Sequence, residues 1–474
     1  MAVTLRVRSR AIQTDNTQLR LFSPGLLLIA LFWCSALIAD DAPLADETAG
    51  ALPSPLKLLQ AMTIGTSEVH PDILVARARQ AQAQAQILRA ESAYALEADI
   101  NLEAARIEPA PNAFDSSPND NNASLNIRKP LYDFGYTSSR LEAAQTGVDA
   151  EQLEYRHALA RQQIAISRSF FDAVLSDIKF AWDNEAMAML YVRVDKTRDR
   201  YELKQVSEVD LLKAETDYQQ LLTTRRNTEI LQRISRAQLA ETINRPGELS
   251  ADLVAPEIEF KNLQLPDPEV LIKRALDTNF ELRAQLKRVA ATAAEMDAAR
   301  KQSRPTLGAE IEVAEYSREL PSREDWRAAI NLKIPLFENA LVKSDIADKR
   351  ALWLQQQAQL YQMQSDIRRQ VYTSWMSLNG FITKASELEI AAQAAERALD
   401  KSRGEYELEL RTDYGDTLVN TSRVRYEQAR NRFDTIIAAM QLAMLIGEPP
   451  RSIIENGVVI LDNRTTGEAN ANPD

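Results

Sequence analysis

Apolar and polar residues alternate in two rhythms along this chain, and each rhythm occurs twice. Ala98, Ile100, Leu102 and Ala104 alternate with Glu97, Asp99, Asn101 and Glu103, the period of two that gives a β-strand one apolar and one polar face. The same rhythm returns where Leu307, Ala309, Ile311 and Val313 alternate with Gly308, Glu310 and Glu312, and where Ile330, Leu332 and Ile334 alternate with Asn331 and Lys333. Polar stretches run from Pro109 to Asn122 in one half and from Ser317 to Asp325 in the other. They read as exposed hairpin loops.

After the strands the period becomes helical. No proline occurs between Pro130 and Pro246, where the only glycines are Gly135 and Gly147, and none occurs between Pro335 and Pro449. Each stretch is therefore free to be almost wholly helical. Phe171, Val174, Leu175, Ile178 and Trp182 recur at helical spacing, and Leu175, Trp182 and Met189 step by seven. That stripe predicts the seam of a helical hairpin. Each stretch is expected to fold back near its midpoint, around Val206-Ser207-Glu208 and Arg411-Thr412-Asp413. The arms would then hold roughly fifty to seventy residues, the longer reaching on the order of 100 Å.

The two halves also match residue by residue. Asn126, Pro130 and Tyr132 fall on Asn331, Pro335 and Phe337, His70-Pro71-Asp72-Ile73-Leu74 parallels Asn279-Phe280-Glu281-Leu282-Arg283, and Tyr201-Glu202-Leu203 parallels Tyr406-Glu407-Leu408. A duplicated unit explains this order better than two unrelated domains. Pro246, Pro256, Pro266 and Pro268 mark the linker between the halves, and a small, polar tail follows Ile460.

Four alternating strands in an otherwise helical chain have no second sheet to cover their apolar faces, so lipid is their natural partner. Four cannot enclose a duct, but three copies supply twelve, a number compatible with a closed barrel. Glu97, Asp99, Glu103, Glu310 and Glu312 are then the candidates for its lumen face. An acidic lumen predicts mild cation preference. Tyr132, Phe134 and Phe337 at the strand ends suit a membrane interface.

At the start, Arg6, Arg8, Arg10 and Arg20 precede the apolar run from Leu26 to Leu37. The pattern reads as a secretory signal peptide, cleaved after Ala36 or Ala39, with an uncleaved anchor helix as the alternative. The single cysteine, Cys34, lies inside it, so the exported protein needs no disulfide.

Composition agrees with long helices, since among 474 residues only 13 are glycine and 19 proline. The formal net charge of −12 argues against a nucleic-acid partner, which requires clustered Lys and Arg. The two histidines, His70 and His157, and the absence of a phosphate-binding glycine loop offer no nucleophile, metal or acid–base set. No enzyme, cofactor or metal site is expected. The carboxylates that abound on the helices, Glu405 and Glu409 among them, read as solvated faces.

On these residues the chain resembles the TolC family of outer-membrane factors over nearly all its expected mature length. The most specific likeness is the exit from strand into long helix, Pro130-Leu131-Tyr132-Asp133 and Pro335-Leu336-Phe337-Glu338. His70-Pro71-Asp72-Ile73 is similar to the start of the family's first upright helix, with His70 in place of the commoner Asn. The resemblance implies a mainly α fold with a small β part. A trimeric 12-stranded barrel, four strands per protomer, would continue into a long periplasmic helical barrel built of two internal repeats. The expected divisions are a signal peptide over residues 1–39, an N-terminal periplasmic segment over 40–69, repeat 1 over 70–245, an equatorial segment over 246–278, repeat 2 over 279–448 and a tail over 449–474.

The resemblance further implies a passive exit duct in the Gram-negative outer membrane, serving a tripartite efflux pump or a type I secretion system. Its partners would be two further copies, outer-membrane lipid, a periplasmic adaptor (membrane fusion protein) and an inner-membrane transporter. Its gate links would fall on Asp210, Tyr406 and Arg411, and an acidic mouth on Asp413 and Asp416. Lys204 and Glu409 stand where the family often has glycine. The competing reading, a periplasmic adaptor or structural coiled-coil protein, accounts for a leader and heptads but not for duplicated strands ahead of duplicated hairpins.

Overall fold

A computed structural model describes residues 52–247, 252–258, 265–318, 320–337, 340–408 and 414–456. The leader with Cys34, and the tail beyond residue 456, lie outside them. In chain order the elements are β1 (Leu56–Lys57), α1 (Leu58–Gly65), α2 (Pro71–Glu91), β2 (Glu97–Arg106), β3 (Asn119–Tyr132), α3 (Tyr136–Glu202) and α4 (Glu208–Thr242), followed by β4 (Leu253–Val254), α5 (Pro268–Thr278), α6 (Phe280–Lys301), β5 (Thr306–Tyr316), β6 (Trp326–Lys333), α7 (Ala340–Glu407), α8 (Tyr414–Leu445) and α9 (Arg451–Asn456). The run α2-β2-β3-α3-α4 thus recurs as α6-β5-β6-α7-α8, the duplication expected from the sequence.

The outgoing arms are long, 67 residues in α3 and 68 in α7, or about 100 Å each at ~1.5 Å per residue. The return arms α4 and α8 hold only 35 and 32 residues, shorter than expected. A second short helix makes up the difference in each repeat. α3 packs on α4 along one part of its length and on α2 and α6 along another, while α7 packs on α8 and α6.

The junctions between stacked short helices are built by two equivalent residues. At the start of α2, His70 accepts the Asp72 amide through Nδ1 at 3.3 Å, while Nε2 lies 3.1 Å from the Thr242 carbonyl at the end of α4. At the start of α6, Asn279 Oδ1 accepts the Leu282 amide at 2.9 Å and its Nδ2 donates to the Leu445 carbonyl of α8 at 3.0 Å. Each side chain caps one helix N-terminus and satisfies a carbonyl at another's C-terminus, groups that helix ends otherwise leave unpaired. Both are buried, at 5% and 2% exposure. Pro71 occupies the first turn of α2, where its missing N–H costs nothing.

The core lies where the repeats meet. Phe170, Phe171, Ile166, Val371, Leu378, Phe433, Ile436 and Met440 are all buried there, together with Leu56, Leu58 and Met62 of the N-terminal segment. β1 pairs in parallel with β4, tying that segment to the linker.

Candidate channel wall and hairpin tips

The four longer strands form one antiparallel sheet in the order β2-β3-β5-β6, so the two halves join through β3 and β5. Residues directly opposite share a face, and the register resolves the sheet into two chemistries. One face carries Ala98, Ile100, Leu102, Leu125, Ile127, Ile311, Val313, Trp326, Ile330 and Leu332. Nothing among the described residues covers it: Leu102 and Ile330 are each 74% exposed and Trp326 68%. All five carboxylates expected on the lumen side, Glu97, Asp99, Glu103, Glu310 and Glu312, lie on the other face.

That polar face also carries cations. Glu97, Arg128 and Glu310 stand side by side across three strands, and Asp99, Asn126, Glu312 and Arg327 form the adjacent row. The Arg128 guanidinium lies 3.4 Å from Asp99, 3.6 Å from Glu310 and 4.0 Å from Glu97. Asn126 donates to Asp99 at 3.0 Å, Asn122 to Glu103 at 2.9 Å and Asn331 to Glu310 at 3.2 Å.

Asp120, Asn121 and Asn122, read from sequence as loop, belong to β3. The strand runs on into this polar stretch, pairing Asp120 with Ala105, Asn121 with Ala104 and Asn122 with Glu103 and Tyr316. Arg323 of the second hairpin makes a two-pronged bond to Asp120, at 2.7 and 3.1 Å, and the buried Arg318 donates to the Asp115 carbonyl at 2.5 Å. These contacts join the loop of the first repeat to that of the second.

At the sheet's other end, Asp133 organises the entry into α3. Its carboxylate accepts the amides of Gly135 at 3.1 Å and Thr137 at 2.7 Å, and the Tyr94 hydroxyl at 2.5 Å. Gly135 has φ +94°, a conformation that a side chain disfavours. Burial pushes the Asp133 carboxyl up, but the bonds from Thr137, Tyr94 and Gly135 outweigh it and hold the group below the usual carboxylate range. Tyr94, half-buried and facing that carboxylate, is pushed up to about 12.

The heptad stripe of α3 does not face its own return arm. Phe171 stacks on Phe433, Trp182 packs on Tyr426 with centroids 5.7 Å apart, and Glu185 accepts a short hydrogen bond from Ser422. Met189 sits so close to Gly415 that an added Cβ would lie 2.1 Å from its sulfur. Arg193 closes the series with bonds of 2.7 and 2.8 Å to the two oxygens of Asp416. All these partners are on α8, so the stripe joins repeat to repeat.

Toward its base the seam between α3 and α4 carries a polar series, and Tyr191 packs on Tyr218 farther along. Ser169 meets Thr242 at 3.0 Å, Ser176 meets Ser235 at 2.9 Å, and Thr228 donates to Asp183 at 2.6 Å. These pairs recur at seven-residue steps on both helices, the spacing of a coiled-coil core. Such residues look like a solvated face in a sequence, and only their coincident spacing on two segments could have revealed the seam.

Of the expected gate and mouth residues, Asp210, Tyr406 and Asp416 are among the described residues. Asp210 completes a capping box at the start of α4: its Oδ2 accepts the Ser207 amide at 3.1 Å and the Ser207 hydroxyl at 2.7 Å, and these bonds hold its carboxyl below the ordinary range. Tyr406 is exposed and tilts against Tyr414, 5.9 Å away. Asp416 is the member found in an ion pair between repeats. Arg411 and Asp413 lie outside the described residues.

Solved structures share this arrangement. The Campylobacter jejuni CmeC outer membrane channel aligns with 86% of this chain and 90% of its own at 15% identity, with a TM-score of 0.67. The chain has the TolC-type outer-membrane-channel fold. The outer membrane protein VceC of Vibrio cholerae matches at 16% identity over 82% of this chain and 96% of its own, TM-score 0.64. The Neisseria gonorrhoeae MtrE outer membrane channel, solved in its open state, matches at 15% identity over 83% and 89%, TM-score 0.64. No family model and no curated protein matches the sequence. The likeness therefore rests on backbone architecture.

Proposed function

We propose that this chain is one protomer of a trimeric outer-membrane duct, a passive conduit for efflux or secretion that an adaptor and an inner-membrane transporter engage from the periplasm. The sheet carries the proposal. It has one charged face, one bare apolar face and two unpaired edges, β2 and β6. A sheet edge and an apolar face are both liabilities in water, and a lipid-embedded closed barrel removes both.

The edges are also electrically matched. On the polar face, β2 presents Glu97, Asp99 and Glu103, while β6 presents Arg327 and Lys333. Joining the β2 edge of one copy to the β6 edge of the next sets carboxylates beside cations and repeats head to tail until the ring closes. Twelve strands result from three copies. Among the described residues no helix is long and apolar enough to cross a membrane, which leaves the strands as the membrane-crossing part of this reading.

The reading assigns the chain no catalytic step. Opening is placed at the hairpin ends, where an Arg411–Asp210 link would add to the Arg193–Asp416 pair in holding the tips together. An adaptor with higher affinity for the open arrangement would release them.

The test is direct. Detergent-extracted protein is expected to have the mass of a trimer and to give discrete conductance steps in planar bilayers. A monodisperse, water-soluble monomer that leaves bilayers sealed would falsify the proposal and favour the periplasmic adaptor or coiled-coil reading.

A further inference from the structure

We infer that Arg128 sets the ion selectivity of the barrel lumen, acting as the counter-cation that keeps a carboxylate belt from becoming a strong cation filter. The inference rests on the duct reading above, because only in a closed barrel does the polar face line a lumen.

Arg128 occupies the interior strand β3, flanked in register by Glu97 on β2 and Glu310 on β5. Its guanidinium reaches both, and Asp99 diagonally, within 4.0 Å. Within one copy, no other cation among the described residues stands between Glu97 and Glu310: Arg327 is opposite Glu312 and Lys333 opposite Thr306, both on the edge strand β6 that would meet the next copy. Arg128 is also exposed, at 47%, as are Asp99 at 43% and Glu97 at 70%. These charges therefore face water and act on passing ions.

The physics follows from confinement. A belt of like charge inside a narrow, low-dielectric wall concentrates counter-ions, whereas paired charges of opposite sign largely cancel beyond a Debye length of ~10 Å at 0.1 M salt. With Arg128 present, the row Glu97-Arg128-Glu310 carries one net negative charge per protomer. Without it the same row carries two, repeated around the barrel by three copies. Rings of carboxylates are the usual means by which pores favour cations. A count of the lumen carboxylates alone thus overstates the selectivity of the native duct, because Arg128 stands among them.

The experiment measures reversal potentials of the full-length trimer in planar bilayers under a KCl gradient. Arg128→Gln is expected to raise the K⁺/Cl⁻ permeability ratio by roughly threefold or more at low salt, with the effect shrinking toward molar salt. Arg128→Lys is expected to stay near the native ratio. Glu97→Gln with Glu310→Gln, which leaves Arg128 in place, is expected to lower the ratio and keeps the test decisive should Arg128→Gln not assemble. Conducting trimers whose ratio is unchanged in both the Arg128→Gln and the double carboxylate variants would overturn the assignment while leaving the duct reading intact. Native protein without conductance would overturn both.

Discussion

Phe171 and Phe433 lie face to face, ring centroids 4.4 Å apart and planes 8° from parallel, one on the outgoing helix of the first repeat and one on the return helix of the second. Both are buried, at 2% and 4% exposure. Removing either ring is expected to cost about 3–5 kcal/mol of stability, since the site is enclosed and cannot collapse. Part of that cost belongs to the pair, so Phe171→Ala with Phe433→Ala should fall short of additivity by about 1 kcal/mol. Thermal or denaturant unfolding of the four proteins in the double-mutant cycle measures it; strict additivity would mean that the rings act independently.

The His70 and Asn279 junctions yield a sharper comparison. Because Asn279 performs at one repeat what His70 performs at the other, His70→Asn is expected to be nearly neutral. His70→Ala removes a cap and a partner of the Thr242 carbonyl, for about 1–2 kcal/mol. Gln162 also donates to that carbonyl, at 2.9 Å, which bounds the loss. A His70→Asn protein as unstable as His70→Ala would mean that imidazole volume, and not hydrogen bonding, is what the junction needs.

Much of this architecture was legible in the residues. The duplication, the strand faces and the helical stretches each rest on a period that packing enforces. What was hidden depends on coincidences between distant segments. The return arms are short because α4 and α8 stop where His70 and Asn279 begin the next helices, and no residue of the arms themselves records that limit. The α3 stripe points by itself to its own hairpin, because a period states that a face is buried, not against what. Arg193 and Arg128 each drew no attention alone, and both matter through carboxylates far away in the sequence.

Lys204 is a local case of the same kind. It closes the first hairpin with φ +57°, and its amide donates to the Tyr201 carbonyl at 2.8 Å. A lysine in the left-handed region carries strain of about 1 kcal/mol that glycine does not. Lys204→Gly is therefore expected to leave the turn intact and to stabilise it by up to ~1 kcal/mol, less the entropy that glycine adds to the unfolded chain. Hydrogen exchange at the amides of the tip would register slower opening, and faster exchange there would contradict the strain argument.

Asp133 makes the entry to α3 sensitive to acid. Its folded carboxyl lies below its unfolded value near 3.9, so its contribution is complete above that value and is lost as pH falls through the lower, folded one. Asp133→Asn keeps one acceptor oxygen but removes the charge. The variant is expected to be less stable at pH 7 and to lose less than the native protein on acidification below about pH 4. Parallel acid-side slopes for the two proteins would place the acid sensitivity elsewhere.

Arg193 and Asp416 form the outermost polar link of the α3–α8 seam. Their side chains are 54% and 64% exposed, so water screens the pair and each copy gains at most about 1 kcal/mol. In the proposed trimer a weak link suits a gate, because three in parallel at about 0.5 kcal/mol each would bias it toward the closed arrangement by roughly tenfold in population yet yield to modest binding energy. Arg193→Glu sets two carboxylates against each other and is expected to raise single-channel open time or drug leak. Adding Asp416→Arg restores opposite charges, though a cation in the first turn of α8 opposes the helix dipole by a few tenths of a kcal/mol. The double variant should therefore be tighter than the single one and leakier than the native protein. Equal leak in the single and double variants would remove the pair from the gating argument, leaving Trp182–Tyr426 and Met189–Gly415, the apolar contacts behind it, as what holds the two hairpins together.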